Sequence, residues 1–236
     1  MFEREHHRRI ASALEALDAN SLAANACLFG GGTAMTLRYG EYRESVDIDF
    51  LVSDREGYRQ LRQLLTGPAG LGAITRPGLA LNAVREMRAD QYGLRTMLRV
   101  GEVEIKFEIV LEGRITLETP GVADRICGVA TLTPLDMATS KLLANSDRGR
   151  DDAVLSRDLI DLAMMAPTRP LLRQAIDKAR RAYGDNVESD LAKAIENLRA
   201  RPHRLDHCMN LMRMTTVSKA LLWTRIKALA PPKHSA

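Results

Sequence analysis

Phe29-Gly30-Gly31-Gly32-Thr33 and Val46-Asp47-Ile48-Asp49-Phe50 decide how this chain is read. The three glycines permit tight backbone geometry and close approach of a ligand. Successive backbone N–H groups leading into a helix start form an anion site. The second stretch has the apolar–polar alternation of a half-buried strand. Side chains two apart on a strand leave the same face, so Asp47 and Asp49 point one way, and Val46, Ile48 and Phe50 the other. Two like carboxylates on one face repel unless something neutralises them. Magnesium does so, because it binds through one or two carboxylates plus phosphate oxygens. Taken alone, the two stretches also suit a chain-reversing turn followed by a solvated strand. The spacing is not that of a dinucleotide-binding Gly-x-Gly-x-x-Gly turn, and no Gly-Lys-Ser/Thr follows, so a Walker loop is excluded.

The chain has 236 residues, enough for one large domain or two small lobes, with the ordinary apolar content of a globular protein. No apolar run approaches the roughly 20 residues needed to cross a bilayer. Met1 to Ile10 is charged, so no secretory signal is expected and a cytoplasmic location is. The three cysteines, Cys27, Cys127 and Cys208, are far apart and suit reduced thiols rather than a disulfide frame or zinc site. Charge is uneven: residues 168–236 hold 14 Lys and Arg against 6 Asp and Glu, whereas residues 1–167 hold 20 against 24. The basic segment suits either a polyanion such as RNA or a set of well-solvated helices. His203 and His207 lie one turn apart at a helix start and read as solvated without further ligands.

Apolar spacing at Ile10, Leu14 and Leu17 predicts an amphipathic helix over residues 4–20. Strands are expected at 25–29, 46–52, 92–100, 102–111 and 126–132, and short helices at 33–39 and 55–65, the latter capped by Ser53-Asp54. Residues 67–78, rich in Gly and Pro, read as a loop. Pro134 opens a helix to about residue 145. Only helices follow, at about 155–165, 169–182, 187–200 and 204–229. A mixed α/β half before a helical half predicts an α+β, bilobed protein. The expected division is a core over residues 1–130 and a helical C-terminal lobe over 131–236.

Gly31-Gly32-Thr33 followed by Asp47-Ile48-Asp49 resembles the signature of the polymerase-β-type nucleotidyltransferases, with fourteen residues between Gly32 and Asp47. The fuller string, Gly-Gly-Thr-Ala-Met and then Arg43-Glu44-Ser45-Val46-Asp47-Ile48-Asp49-Phe50, resembles the AbiEii-like branch. Those are the toxin nucleotidyltransferases of abortive-infection systems, and the branch includes the MenT toxins. Further on, Lys141-Leu142-Leu143-Ala144 and Arg157-Asp158-Leu159-Ile160-Asp161 match the branch's Lys-x-x-Ala and Arg-Asp-x-x-Asp helices. The resemblance covers residues 25–165, and 170–236 carry no recognisable motif.

The resemblance implies a small mixed sheet with flanking helices, and a helical lobe that completes the active site. It also implies a third acid on a neighbouring strand. Ile105-Lys106-Phe107-Glu108 aligns with that strand, which makes Glu108 the choice and Glu104 the rival. Asp47, Asp49 and Glu108 would hold Mg2+ or Mn2+. Gly31, Gly32, Thr33 and Ser45 would bind the nucleotide, and Lys141 would neutralise the triphosphate. Asp158 would orient the site, in a pairing with Lys141. The implied activity is transfer of a nucleoside monophosphate from an NTP to RNA, the tRNA 3′ end in the MenT toxins, which blocks translation and is countered by a cognate antitoxin. Two other readings stand beside it: a nucleotidyltransferase acting on a protein or small molecule, and a nucleotide-binding regulator without turnover.

Overall fold

The computed structural model describes residues 2–231. The chain forms two compact units, one of residues up to Glu41 with Ser45–Thr133, the other of Tyr42–Glu44 with residues from Pro134 onward. The first is mixed α/β and the second is helical, giving an α+β protein with a small mixed sheet and flanking helices.

In the first unit the chain runs through α1 (Glu5–Ala16), α2 (Ala19–Ala24), β1 (Leu28–Gly30), α3 (Gly31–Arg38), β2 (Ile48–Val52) and α4 (Arg55–Thr66). The short strands β3 (Asn82–Ala83) and β4 (Arg88–Ala89) follow. Next come β5 (Gly93–Val100), β6 (Val103–Leu111), β7 (Arg125–Ile126) and β8 (Val129–Ala130). The helix expected over 4–20 is in fact two. Leu17 turns extended and bridges to Thr75, and Asp18 then caps α2 by accepting from the Asn20 and Ser21 amides. The expected cap of α4 is present, with Asp54 accepting from the Gly57 amide. The stretch 126–132 is a hairpin rather than one strand. Cys127 (φ 50°) and Gly128 (φ 81°) both adopt the left-handed conformation that a tight two-residue turn demands. The 67–78 loop contains a 3₁₀ turn at Gly70–Ile74.

The main sheet has the order β1-β2-β6-β5-β3, with β4 also on β5. Among the described strands, β2 and β6 alone pair in parallel. Its apolar face forms the core of the unit. Phe29, Phe50 and Phe107 are all fully buried, with ring centroids 5.5 and 5.7 Å apart in succession. Val46, expected on that buried face, lies before β2 begins and is 49% exposed.

The second unit contains α5 (Pro134–Arg148), α6 (Arg157–Met165), α7 (Arg169–Tyr183), α8 (Asn186–Ala200), α9 (Pro202–Leu211) and α10 (Lys219–Ala228). α5 is the central helix, packing on α6, α7 and α8 through residues such as Ala138 and Leu142. The expected helix over 204–229 breaks in two. Arg213 takes a positive φ of 54°, and Ser218 restarts the helix by accepting from the Leu221 amide.

Phe50 touches both other rings of the core, so Phe50→Ala removes two aromatic contacts and leaves a cavity. The expected cost is about 3–5 kcal/mol, read as a lower urea midpoint of the α/β unit.

Candidate active site

Backbone pairing assembles a polar row on the open face of the sheet. Gly30 of β1 pairs with Asp49 of β2, Asp49 with Glu108 of β6, and Glu108 with Arg95 of β5. One strand position away from that row, Asp47 precedes β2 and Lys106 lies on β6, two residues before Glu108 and on the same face. The register distinguishes the two candidate third acids. Glu108 is the lateral neighbour of Asp49, whereas Glu104 pairs with Arg99 beyond the end of β2 and forms an ion pair with it at 2.6 Å.

The glycine turn is shaped by this row. Gly31 opens α3 with φ 67°, and a Cβ there would lie 2.9 Å from the Asp49 Cβ. Only a glycine lets the Asp49 carboxylate lie against the helix start, where unpaired N–H groups and the helix dipole favour negative charge. Gly32 lies in the first turn, its carbonyl accepting from the Thr36 hydroxyl at 3.1 Å. Thr33 is placed differently from the expectation. Its hydroxyl is buried and donates to the Asp47 carbonyl at 2.5 Å, with Ser45 Oγ at 2.8 Å. A hydroxyl has one proton, so Thr33 and Ser45 brace the backbone that carries the aspartates. His7 completes that brace. Its Nδ1 hydrogen-bonds Glu41 at 2.7 Å and its Nε2 accepts from the Ser45 amide at 3.2 Å. Burial keeps the His7 pKa below its ordinary value, despite the opposing pull of Glu41. No sequence motif marks His7. The available signal was its spacing, three residues before Ile10 and seven before Leu14, on the buried face of α1.

The electrostatics of the row are set by two cations. Both oxygens of Glu108 are engaged, Oε1 by Arg95 Nε and Oε2 by Lys106 Nζ. Arg95 also holds Asp90 at 2.6 Å. Burial would raise the Glu108 pKa, but the hydrogen bonds from Lys106 and Arg95 outweigh it and hold the carboxyl below its usual range. Burial likewise opposes the charge on Lys106. Glu108, and then Asp49 and Asp47, more than offset that, and its pKa rises.

In the helical unit the downstream motifs form a buried ionic cluster. Lys141 Nζ lies 3.0 Å from Asp158 Oδ1 and 2.7 Å from Asp161 Oδ2. Asp161 receives a bidentate fork from Arg43, at 2.7 and 2.9 Å, and the Tyr42 hydroxyl at 2.8 Å. Asp158 receives two N–H groups of Arg148 at 2.7 and 3.0 Å. Lys141 and Asp158 are thus paired, and Lys141 is buried with its charge directed to two aspartates rather than to open solvent. Burial raises both carboxyls, but the cations around them prevail and both titrate below the ordinary value.

Among the described residues, no three His, Cys, Asp or Glu side chains converge as a ready-made metal cage. The donor chemistry at the glycine turn nonetheless suits a hard divalent ion. Asp47 and Asp49 are partly exposed carboxylates, and magnesium needs only one or two of these beside substrate phosphates.

Two solved structures share this fold. JHP933 from Helicobacter pylori aligns with a TM-score of 0.50 at 20% identity, over 97% of this chain and 93% of its own. A nucleotidyltransferase candidate from H. pylori aligns at 0.50 and 18% identity, over 96% of each chain. No curated protein matches the sequence. A family match over most of the chain makes the protein a nucleotidyltransferase. Within that class, the family described as "Nucleotidyl transferase AbiEii toxin, Type IV TA system" matches residues 12–227. The chain belongs to this AbiEii family.

The ionic cluster makes a pH prediction. Asp158 and Asp161 titrate lower in the folded state than in the unfolded chain, where the ordinary value is 3.8. Their stabilisation is complete above that value and is lost as pH falls through the folded-state values. Thermal scans from pH 6 downward should show the helical unit weakening below about pH 4. Arg43→Met removes the fork on buried Asp161 and should cost about 3 kcal/mol at neutral pH, read by urea unfolding.

Proposed function

We propose that the protein transfers a nucleoside monophosphate from an NTP to the 3′ end of tRNA and so blocks translation, until a cognate antitoxin relieves it. The observation that carries the reading is the placement of Asp49 beside Glu108 and against Gly31, which gathers phosphate-approaching backbone and paired acids at one point of the sheet. Family membership supports the nucleotidyl transfer and the antitoxin partner. The RNA acceptor rests on the branch resemblance and on the basic 168–236 segment, with 14 Lys and Arg against 6 Asp and Glu. Aromatic residues make up 4% of the chain, so the acceptor is held through phosphates and shape rather than by an extended stacking platform. Among the described residues no helix is long and apolar enough to cross a membrane.

In this reading the acceptor hydroxyl attacks the α-phosphorus of the NTP. A new O–P bond forms, the α–β bridging bond breaks, the hydroxyl proton passes to a base, and pyrophosphate leaves. Gly31 and Gly32 present backbone N–H groups to the phosphates. Asp47 and Asp49 would hold Mg2+ or Mn2+, with Glu108 as the third acid of the set. When bound, the ion supplies charge neutralisation and orientation at the entering and leaving oxygens. Thr33, Ser45 and His7 keep the aspartate backbone in place. Lys141 and Asp158 enter as the ionic frame of the helical unit that bears the family's downstream motifs.

The test is incubation with each labelled NTP, magnesium and total tRNA. Label should enter RNA, and Asp49→Ala should reduce it at least about a hundredfold. Label entering protein or a small molecule while RNA stays unlabelled would overturn the RNA reading.

A further inference from the structure

The triphosphate of an incoming nucleotide brings several negative charges to a site already lined with carboxylates, so a mobile cation is needed there. The resemblance assigns that part to Lys141, but Lys141 is buried and its ammonium lies within 3.0 Å of two aspartates. Lys106 has the required properties. Its side chain is 43% exposed, it sits on β6, the strand that pairs with β2, and its ammonium forms an ion pair with Glu108, the register neighbour of Asp49. Its present partner, Glu108, is also held by Arg95, so Glu108 keeps a cationic partner if Lys106 leaves.

We propose that Lys106 is the triphosphate-binding cation of this enzyme and that it exchanges roles with the divalent ion. Without substrate, the Lys106 ammonium neutralises the carboxylate patch. When a divalent ion and nucleotide bind, the ammonium is displaced from Glu108 and turns to the phosphate oxygens, which frees Glu108 Oε2 toward the ion. Lys106 reaches the phosphates as a point charge on a flexible stem, the manner in which lysine serves phosphate sites. The proposal deepens the nucleotidyl-transfer reading and rests on it.

The exchange has a signature that a merely structural lysine lacks, because the two binding events should move in opposite directions. Lys106→Met keeps the aliphatic stem and removes the competing charge. Mn2+ alone, followed by calorimetry, should bind Lys106→Met more tightly than wild type by about threefold or more. A non-hydrolysable NTP with Mn2+ should bind it about tenfold or more weakly, and Lys106→Arg should recover most of that loss. A single cooperative thermal unfolding transition shows that the variant is folded. Nucleotide affinity within twofold of wild type in Lys106→Met would overturn the proposal, as would weakening of both ligands together. Failure of the RNA-transfer reading shows itself separately, as nucleotide binding without labelling of tRNA by the wild-type enzyme.

Discussion

The parallel pairing of β2 with β6 is the constraint on which the site depends. It sets two acids far apart in sequence, Asp49 and Glu108, side by side on one sheet face. Like charges directly across strands destabilise a sheet. Here the sheet itself supplies the remedy. Arg95 arrives opposite Glu108 from the antiparallel hairpin partner β5, and Lys106 arrives from β6 two residues earlier. The hairpin register is fixed by the short turn at Gly101, where φ is 60°. A slip of one residue would send Arg95 to the apolar face and leave Glu108 beside Asp49 without a counter-charge from β5. Fold and charge balance are thus one property.

The helical unit handles its buried charges by a different route. Lys141 on α5 meets Asp158 and Asp161, which lie three apart on α6 and so share a helix face. Arg43, from the three-residue segment Tyr42–Glu44 that packs with this unit, completes Asp161 with a planar fork. Each buried carboxylate therefore has more than one cationic or hydroxyl donor. Such a cluster adds little net stability compared with an apolar replacement, but removing one member leaves a buried charge exposed to its full desolvation penalty. The Arg43 of the upstream motif and the Arg-Asp-x-x-Asp of the downstream motif are, in this protein, two halves of one ionic contact.

Much of this was legible in the sequence. Alternation around Ile48 and Phe50 and the run at 102–111 identified the central strands, because a half-buried strand enforces a period of two. The pairing of Lys141 with Asp158 followed from matched motifs on two helices. Other features depended on tertiary contacts that local patterns do not encode. The break at Leu17 comes from a bridge to Thr75, and the turn at Cys127 from a non-glycine residue accepting a positive φ. The inward hydrogen bond of Thr33 depends on Ser45 folding back over α3, and the role of His7 on Glu41 and Ser45 lying above it. Glu108 and Glu104 are equivalent members of one alternating face, so the choice of Glu108 came from the motif resemblance alone, and the parallel register sets Glu108 beside Asp49.

The central claim is that the Asp47–Asp49–Glu108 patch, with Lys106, is where the nucleotide and its ion bind. A crystal structure with Mn2+ and a non-hydrolysable NTP, phased to show the manganese anomalous signal, addresses it directly. The account predicts a manganese peak bonded to the Asp47 and Asp49 carboxylates, phosphates over the Gly31–Gly32 turn, and the Lys106 ammonium on a phosphate oxygen. A manganese–nucleotide complex bound elsewhere, with Lys106 still paired to Glu108, would contradict it.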